Sequence, residues 1–334
     1  MRGGRLLITG AAGFTGRHAV AYFAEGGAEV TAVVRRKIAG AGIFPAGVRQ
    51  YVCDLSDRQA VAGMIAEVRP DQVLHLAGKN SVPESWRDPL LYMETNVMAT
   101  LYLLEALRFQ PASRILVAGS RLKYRPDREV PPHPYSLSKT LEELVSLAWG
   151  TLFSQPVLLA EPSNLIGPGP STGFCSLLAA HIVRSEAAAV AGKDLPAAFQ
   201  LSSRHTRRDF LDVRDAVRAY GLILDSGETG RVYRIDSGEE RELGDIAARL
   251  LTLAAGPVAI DWGPKHEEER DRGVPSPSSA VPMKPSLESD NTELMSAQFR
   301  DQAEISGWKP EIGLDRSLAD IIGYTRASME GRLL

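Results

Sequence analysis

Cysteine is almost absent: Cys53 and Cys175 are the only two in 334 residues. Two isolated thiols cannot build a disulfide framework, and they lack the paired spacing of a zinc centre, so no metal site is expected. Long apolar runs are missing too, none reaching the ~18 residues of a membrane span. The first strand is expected by about Arg5, which leaves no room for a secretion signal, and a reducing cytoplasm is the expected compartment. Neither sign of charge dominates: 38 basic residues stand against 41 acidic ones, a net charge of −3. That balance excludes a global attraction to nucleic acid or an anionic membrane. No internal repeat recurs along the chain. One local absence matters most, because no Asp or Glu occurs between Val30 and Val52.

What is present is an ordinary globular balance, 44% hydrophobic and 24% charged, in a chain long enough for one extended domain or two lobes. Strand-like and helix-like segments alternate. Strands are predicted at Leu6 to Ile8, Glu29 to Val34, Arg49 to Val52, Gln72 to Leu76, Arg114 to Ala118 and Pro156 to Ala160. Helices are predicted at His18 to Gly27, Arg58 to Val68, Leu91 to Arg108 and Tyr135 to Thr151. This alternation predicts the α/β class: a Rossmann-type doubly wound parallel sheet, covered by helices on both faces, with ligands beyond the carboxyl ends of its strands. Past Asn164 comes the turn-rich GPGPSTG (167–173), then shorter pieces. These are helices near Phe174 to Ser185, Val213 to Leu224, Leu243 to Ala255 and from Leu314, and a strand at Val232 to Ile235. The expected division is a dinucleotide-binding domain over 1–165 and a smaller C-terminal α/β substrate-binding lobe mainly over 166–334, some of whose segments return to the Rossmann sheet. The Pro-, Ser- and charge-rich stretch 263–298 is expected to be a surface loop, with a substrate lid as the alternative.

Chemistry gathers where predicted strands end. The run RLLITG turns through Gly10, Gly13 and Gly16 into a helix. Glycines so placed allow a tight turn, backbone approach to a pyrophosphate, and close packing of helix on strand, while the helix amides receive the phosphate charge. At the end of the next strand stand Arg35, Arg36 and Lys37. An acid there would hold the 2′-hydroxyl of NAD; arginine accommodates the 2′-phosphate of NADP, so NADP(H) is favoured over NAD(H). Asp54 and Leu55, Gly78 and Lys79, and Ser120 close three further strands. Tyr135 and Lys139, four residues apart, share one helix face. The Lys139 cation is expected to lower the phenol pKa below its ordinary value of about 10 and so make Tyr135 an acid/base.

Together these segments resemble the extended short-chain dehydrogenase/reductases of the NAD-dependent epimerase/dehydratase family, which act on nucleotide sugars. TGAAGFTG (9–16) is similar to the family's TGxxGFxG, HLAG to its HLAA, and SVPESWRDP with Thr95-Asn96 to the stretch that leads into its long interface helix. PYSLSK carries YxxxK, NLIGPG (164–169) the substrate loop, RRDFLDVRD (207–215) RDFxDVxD, and SGWKPEIGLDRSL the C-terminal signature. Within the family the likeness is greatest to GDP-4-keto-6-deoxymannose reductases, then to GDP-mannose 4,6-dehydratases. The resemblance implies catalytic roles for Ser120, Tyr135 and Lys139. It implies cofactor contacts from Thr9, Gly10, Gly13, Phe14, Thr15, Gly16, Arg35, Arg36, Asp54, Leu55, Leu76, Ala77, Gly78, Lys79, Asn96, Tyr135 and Lys139, and substrate contacts from Ser81, Val82, Ser120, Asn164 and Arg208. It also implies a homodimer through helices 91–108 and 135–151, with Met98, Leu101, Leu104 and residues 144–149 as apolar surface.

Departures refine the expectation. Dehydratases place acids after the catalytic Ser or Thr; here Arg121 and Leu122 follow Ser120, which removes the general acid that water elimination needs. A VYG-like triplet reads KYR (123–125), and Glu161, Pro162 and Ser163 stand where the family has an arginine. A late phosphate contact is represented by Lys284-Pro285 or by Arg270 and Arg272. The expected function is NADPH-dependent reduction of a nucleotide-linked 4-keto sugar, GDP-4-keto-6-deoxymannose-like; the alternatives are a nucleotide-sugar epimerase with retained cofactor and a non-catalytic NADP-binding regulator.

Overall fold

The computed structural model describes residues 3–38, 43–126, 129–201, 203–263 and 302–331. The expected loop or lid at 263–298 therefore lies, apart from Gly263, outside the described residues, as do Arg270, Arg272, Lys284 and Pro285. The first half runs β1 (Arg5–Thr9), α1 (Phe14–Glu25), β2 (Glu29–Val34), β3 (Arg49–Val52), α2 (Arg58–Val68), β4 (Gln72–His75), α3 (Val82–Arg87), α4 (Pro89–Tyr92), a π-helical turn (Met93–Met98), α5 (Ala99–Phe109), β5 (Arg114–Ala118), α6 (Pro134–Leu152) and β6 (Val157–Pro162). Then follow β7 (Asn164–Ile166), α7 (Phe174–Val190), β8 (Phe199–Gln200), β9 (Arg207–Asp212), α8 (Val213–Ser226), β10 (Val232–Ile235), β11 (Glu240–Glu242), α9 (Leu243–Leu251), β12 (Ile260–Asp261) and α10 (Leu314–Met329).

Seven strands form one parallel sheet in the order β10-β6-β5-β4-β1-β2-β3. The order reverses at β1, so the clefts on either side of its C-terminal end open into a switch point suited to a ligand. Side chains alternate across the sheet. Leu6, Ile8, Leu74, Leu116 and Leu158 face α1 and α8, whereas Leu7, Val73, Ile115, Val117 and Leu159 face α2 and α5. Burial on both faces explains why these strands read as continuous apolar runs. A third core joins α7, α9 and α10 over β9, and β7, β9 and β11 form a small separate sheet. Strand β10 leaves that lobe to pair with β6 in the main sheet.

Two predicted helices differ in detail. The stretch 91–108 is not one α-helix but passes through the π-helical turn before α5. Within this stretch Thr95 Oγ1 donates to Leu91 O and the Asn96 side chain reaches the neighbouring loop. The helix predicted to Ala255 ends at Leu251, where Leu253 and Ala254 tighten into turns onto Leu250 and Leu251.

Candidate active site and cofactor cleft

A cleft of about 890 Å³ opens at the carboxyl ends of β1, β2 and β4. Its floor is the glycine turn. Gly10 has φ +64°, and a Cβ there would meet the backbone of Leu76 and Ala77 at 2.7 Å. At Gly16 a Cβ would sit 2.1 Å from Gly10 O, so α1 packs against the turn only because both residues are glycine. Gly13 is the N-cap of α1 in extended backbone with no side-chain cap, which leaves the leading amides of the helix for an anion. Ala12 and Gly13 line the cleft. At its far end Arg35, Arg36 and Lys37 converge with Arg17, a fourth cation that the sequence reading passed over. Its position, one residue past the last glycine, was the available signal. Asp54, Leu55, Ser56, Leu76, Ala77, Gly78 and Lys79 complete the walls. The Asp54 carboxylate accepts from Ser56 N at 3.0 Å and Ser56 Oγ at 2.8 Å, bonds that hold its pKa below the ordinary carboxylate value. The uncapped helix start, the glycine cradle and the four cations fit a dinucleotide phosphate chain.

Three residues assigned to the cofactor support the cleft from behind or beside it. Thr9 is fully buried; its Oγ1 accepts from Leu76 N and Ala77 N, each at 3.2 Å, and lies 2.7 Å from His75 Nδ1. Asn96, also fully buried, accepts from Lys79 N at 2.7 Å and donates to Lys79 O at 3.0 Å and Ser138 Oγ at 2.9 Å. It clamps the Gly78-Lys79 wall to α6. Phe14 packs edge-on to His18 and against Gly169, whose φ of +138° leaves no room for a side chain, while His18 Nε2 bonds Pro168 O at 2.7 Å. Thr15 and Gly16 lie in the first turn of α1.

Beside the cleft, Ser120 follows β5, and Tyr135 and Lys139 project from the first turns of α6. Ser120 accepts from Leu122 N at 3.1 Å, and its hydroxyl is close enough to the Tyr135 phenol to lower the phenol's pKa. Lys139 Nζ donates to Ala118 O at 3.0 Å and to Glu142 Oε2 at 2.6 Å. A Cβ built on Gly78 would lie 3.6 Å from Lys139 Nζ, so the lysine meets the cleft wall at that glycine. Tyr135 is only 5% exposed, packed edge-on to Tyr92 and stacked on His133. The expected lowering of its pKa is not found: burial pushes the phenol above 10, and Lys139 and Ser120 offset this only in part.

The remaining candidates fall in two places. The Tyr92 hydroxyl accepts from Ser81 N at 2.9 Å and lies 2.7 Å from Ser81 O, so Ser81 and Val82, at the start of α3, are joined to Tyr135 through the Tyr92 ring. Asn164 and Arg208 sit instead in the small sheet. The Asn164 amide donates to Asp209 O at 2.9 Å, and exposed Arg208 donates to Arg207 O at 2.8 Å. Neither has a side-chain bond to the Tyr135 cluster among the described residues. Arg121, the departure after Ser120, pairs with Asp236 at 2.8 Å. Where the arginine is missing, fully buried Glu161 ion-pairs with Lys123, whose ammonium also lies 2.6 Å from Glu143. The lysine of the KYR triplet thus neutralises a carboxylate pair that no local pattern announces. Burial and the Glu143 charge raise Glu161 to about 7. Among the described residues no group of three acidic, His or Cys side chains is arranged to hold a metal, both cysteines are buried free thiols, and no helix is long and apolar enough to cross a membrane.

Residues 6–236 match the profile of the NAD dependent epimerase/dehydratase family, and the chain belongs to it. It is a nicotinamide-dependent oxidoreductase of the extended short-chain dehydrogenase/reductase type. Over 337 aligned residues it is 31% identical to the GDP-6-deoxy-D-mannose reductase of Pseudomonas aeruginosa, spanning 95% of this chain and 96% of that relative. The solved structure of RMD from Pseudomonas aeruginosa complexed with NADPH superposes with a TM-score of 0.70 at 27% identity, over 97% of this chain and 99% of the other. The UDP-glucose 4-epimerase of Thermus thermophilus, solved with NAD, shares the fold at a TM-score of 0.74 and 24% identity, over 97% and 99%.

Proposed function

We propose that this protein reduces the 4-keto group of a nucleotide-linked sugar with NADPH, a GDP-4-keto-6-deoxymannose-like compound being the first candidate substrate. The observation that carries the reading is that Lys139, on the same helix as Tyr135, reaches the Gly78 wall of a cleft whose other end holds Arg17, Arg35, Arg36 and Lys37. The likeness to a GDP-6-deoxy-D-mannose reductase supports the substrate class. Thr9 through Gly16, Asp54, Leu55 and residues 76–79 would hold the dinucleotide, with Asn96 fixing the last of these walls, and Arg35 and Arg36 would select its 2′-phosphate. When bound, the reduced nicotinamide supplies hydride to the carbonyl carbon. Tyr135 gives its proton to the developing sugar alkoxide, Ser120 donates a hydrogen bond to the same oxygen, and Lys139, anchored to Ala118 O, stands on the same helix face as the phenol. Water elimination is disfavoured because the residue after Ser120 is an arginine engaged with Asp236, and the buried acids Glu142, Glu143 and Glu161 are tied to Lys139 or Lys123.

Ser81, Val82, Asn164 and Arg208, with the lobe beyond residue 165, form the substrate side of this reading. Met98 at the end of the π-helical turn and Leu101, Leu137, Leu141, Leu144 and Val145 on the outward faces of α5 and α6 are none of them fully covered, which supports a homodimer. A reducing cytoplasm suits the two free thiols. Following reduced-cofactor absorbance with a panel of nucleotide 4-keto sugars tests the function. Stoichiometric NADPH consumption with a GDP-linked ketone is expected, and none is expected for Tyr135→Phe. Product formed without net consumption of cofactor would replace the reading with the epimerase alternative, and NADPH binding with no turnover of any sugar would leave the regulator.

A further inference from the structure

The face of α6 that meets the protein interior is polar. Tyr135, Ser138, Lys139, Glu142 and Ser146 recur at helical spacing and all are buried. Glu142 stands out among them because an ionised carboxylate with no exposure costs several kcal/mol unless it is paired. Its Oε2 lies 2.6 Å from Lys139 Nζ. The other oxygen lies 3.4 Å from Thr100 Oγ1, whose hydroxyl donates to Asn96 O at 2.7 Å. Beyond Thr100 is His75, with Nε2 at 2.9 Å from Thr100 Oγ1 and Nδ1 at 2.7 Å from Thr9 Oγ1. Burial drives His75 down to about 3, so it is a neutral link and supplies no second cation. The bond pattern makes Nε2 its protonated nitrogen. Lys139 is thus the charged partner of both Tyr135 and Glu142.

We infer that Glu142 is a positioning residue that holds Lys139 in place and offsets its field at Tyr135, favouring the proton-donating form of the phenol. The inference rests on the carbonyl-reduction reading for its use but not for its test. A reductase begins each turnover with the acid protonated, whereas an enzyme that first oxidises an alcohol needs the phenolate as base. A bare ammonium beside the phenol would favour the phenolate; half of a buried ion pair does so far less. Burial is the main reason the Tyr135 pKa is raised, and the Glu142 charge acts in the same direction while Lys139 and Ser120 oppose it. The other groups that face Tyr135 do not replace Glu142. Tyr92 of α4 is pushed up to about 12 and is backed by Glu84, itself paired with Lys79. His133 is held below 6.5 by burial, Ser120 is neutral, and Glu143 and Glu161 are tied to Lys123.

The test is a spectroscopic titration without substrate: phenolate absorbance against pH, each protein read as a difference from its own Tyr135→Phe version. Glu142→Gln should move the Tyr135 midpoint down by about one pH unit or more, the size of a lost nearby charge, and Glu142→Asp should restore most of the original value. A purely structural Glu142 would lower thermal stability and leave the midpoint in place. The double variant Lys139→Met with Glu142→Gln removes both halves of the pair, a neutral replacement that buried pairs commonly tolerate. Its midpoint should lie within about half a unit of the wild type, whereas Lys139→Met alone, which strands the carboxylate, should raise it. An unmoved or raised midpoint in folded Glu142→Gln, or a double variant raised by about a unit or more, overturns the inference. Because no sugar is added, the titration can succeed while the proposed substrate fails, and the two readings fall separately.

Discussion

Arg35 and Arg36 show how much a single position can carry. They end β2, where an acid would read a ribose hydroxyl, and they face a cleft shared with Arg17 and Lys37. Replacing both with neutral residues should weaken NADPH binding roughly ten- to hundredfold for each charge-assisted bond lost and leave NADH binding almost unchanged. Equal losses for both cofactors in a calorimetric titration would remove the 2′-phosphate assignment. Lys123 carries a different load, the neutralisation of Glu143 and Glu161 in the interior. Glu161 has its folded pKa raised to about 7, so its contribution to stability is full below the ordinary carboxyl range and is lost as pH rises through about 7. Lys123→Met should therefore cost about 3–5 kcal/mol at alkaline pH, and the deficit should shrink on acidification as Glu161 takes up a proton. Chemical denaturation of both proteins at pH 5 and pH 8 checks this; a deficit that does not change with pH would contradict the pairing.

Among elements, α6 is the one on which the site depends, and its start is held by an unusual cap. His133 Nδ1 accepts from Ser136 N at 2.9 Å, one turn before Lys139, and its ring stacks on Tyr135 at 6.0 Å between centroids. Accepting that bond requires a neutral imidazole, and burial keeps the folded pKa below 6.5. The cap accordingly stabilises the fold above the unfolded value and is lost as pH falls through the lower folded one. His133→Ala should cost about 1 kcal/mol near pH 7.5, as for other lost N-caps, with the difference from wild type vanishing in acid. His133→Asn, which can cap at any pH, should stay stable in both ranges. Thermal melts across pH decide the matter, and a constant gap between His133→Ala and wild type would argue against capping. The π-helical turn before α5 is the second such element. Nothing in METNVM marks it locally; it exists because buried Asn96 is claimed by Lys79 and Ser138 from two other elements.

At the scale of the whole molecule, the outer side of α5 and α6 with the preceding π-helical turn is the surface proposed for a dimer. Met98 is 37% exposed, and Leu101, Leu137, Leu141, Leu144 and Val145 are partly open along one face. Part of the surface expected for an interface is not available: Leu104 is wholly inside the core beneath the sheet, and Leu147 and Trp149 pack against the same core. A dimer through the remaining residues should give twice the 36.2 kDa chain mass by light scattering. Leu141→Glu combined with Leu144→Glu should release monomers whose secondary structure is intact. A monomeric wild type at micromolar concentration would rule the interface out.

Much of this architecture could be read from local pattern. Apolar runs bounded by glycine and charge mark the parallel strands because both sheet faces are covered, and the glycine turn and the Tyr135-Lys139 spacing follow from backbone geometry within one or two elements. Contacts between distant segments could not be read that way. No local pattern announces that the side chains of Thr9 and Asn96 bond residues 76–79 and α6, where a buried amide or hydroxyl must find protein partners. The direction of the Tyr135 pKa was reversed for the same kind of reason. Spacing along a helix predicts a cation beside the phenol, but burial of the phenol outweighs that cation. Lys123 and Glu161 are 38 residues apart, and only the meeting of a loop, a helix and a strand end makes them one charge-balanced unit, since electrostatics follows distance in space and local solvation rather than distance along the chain.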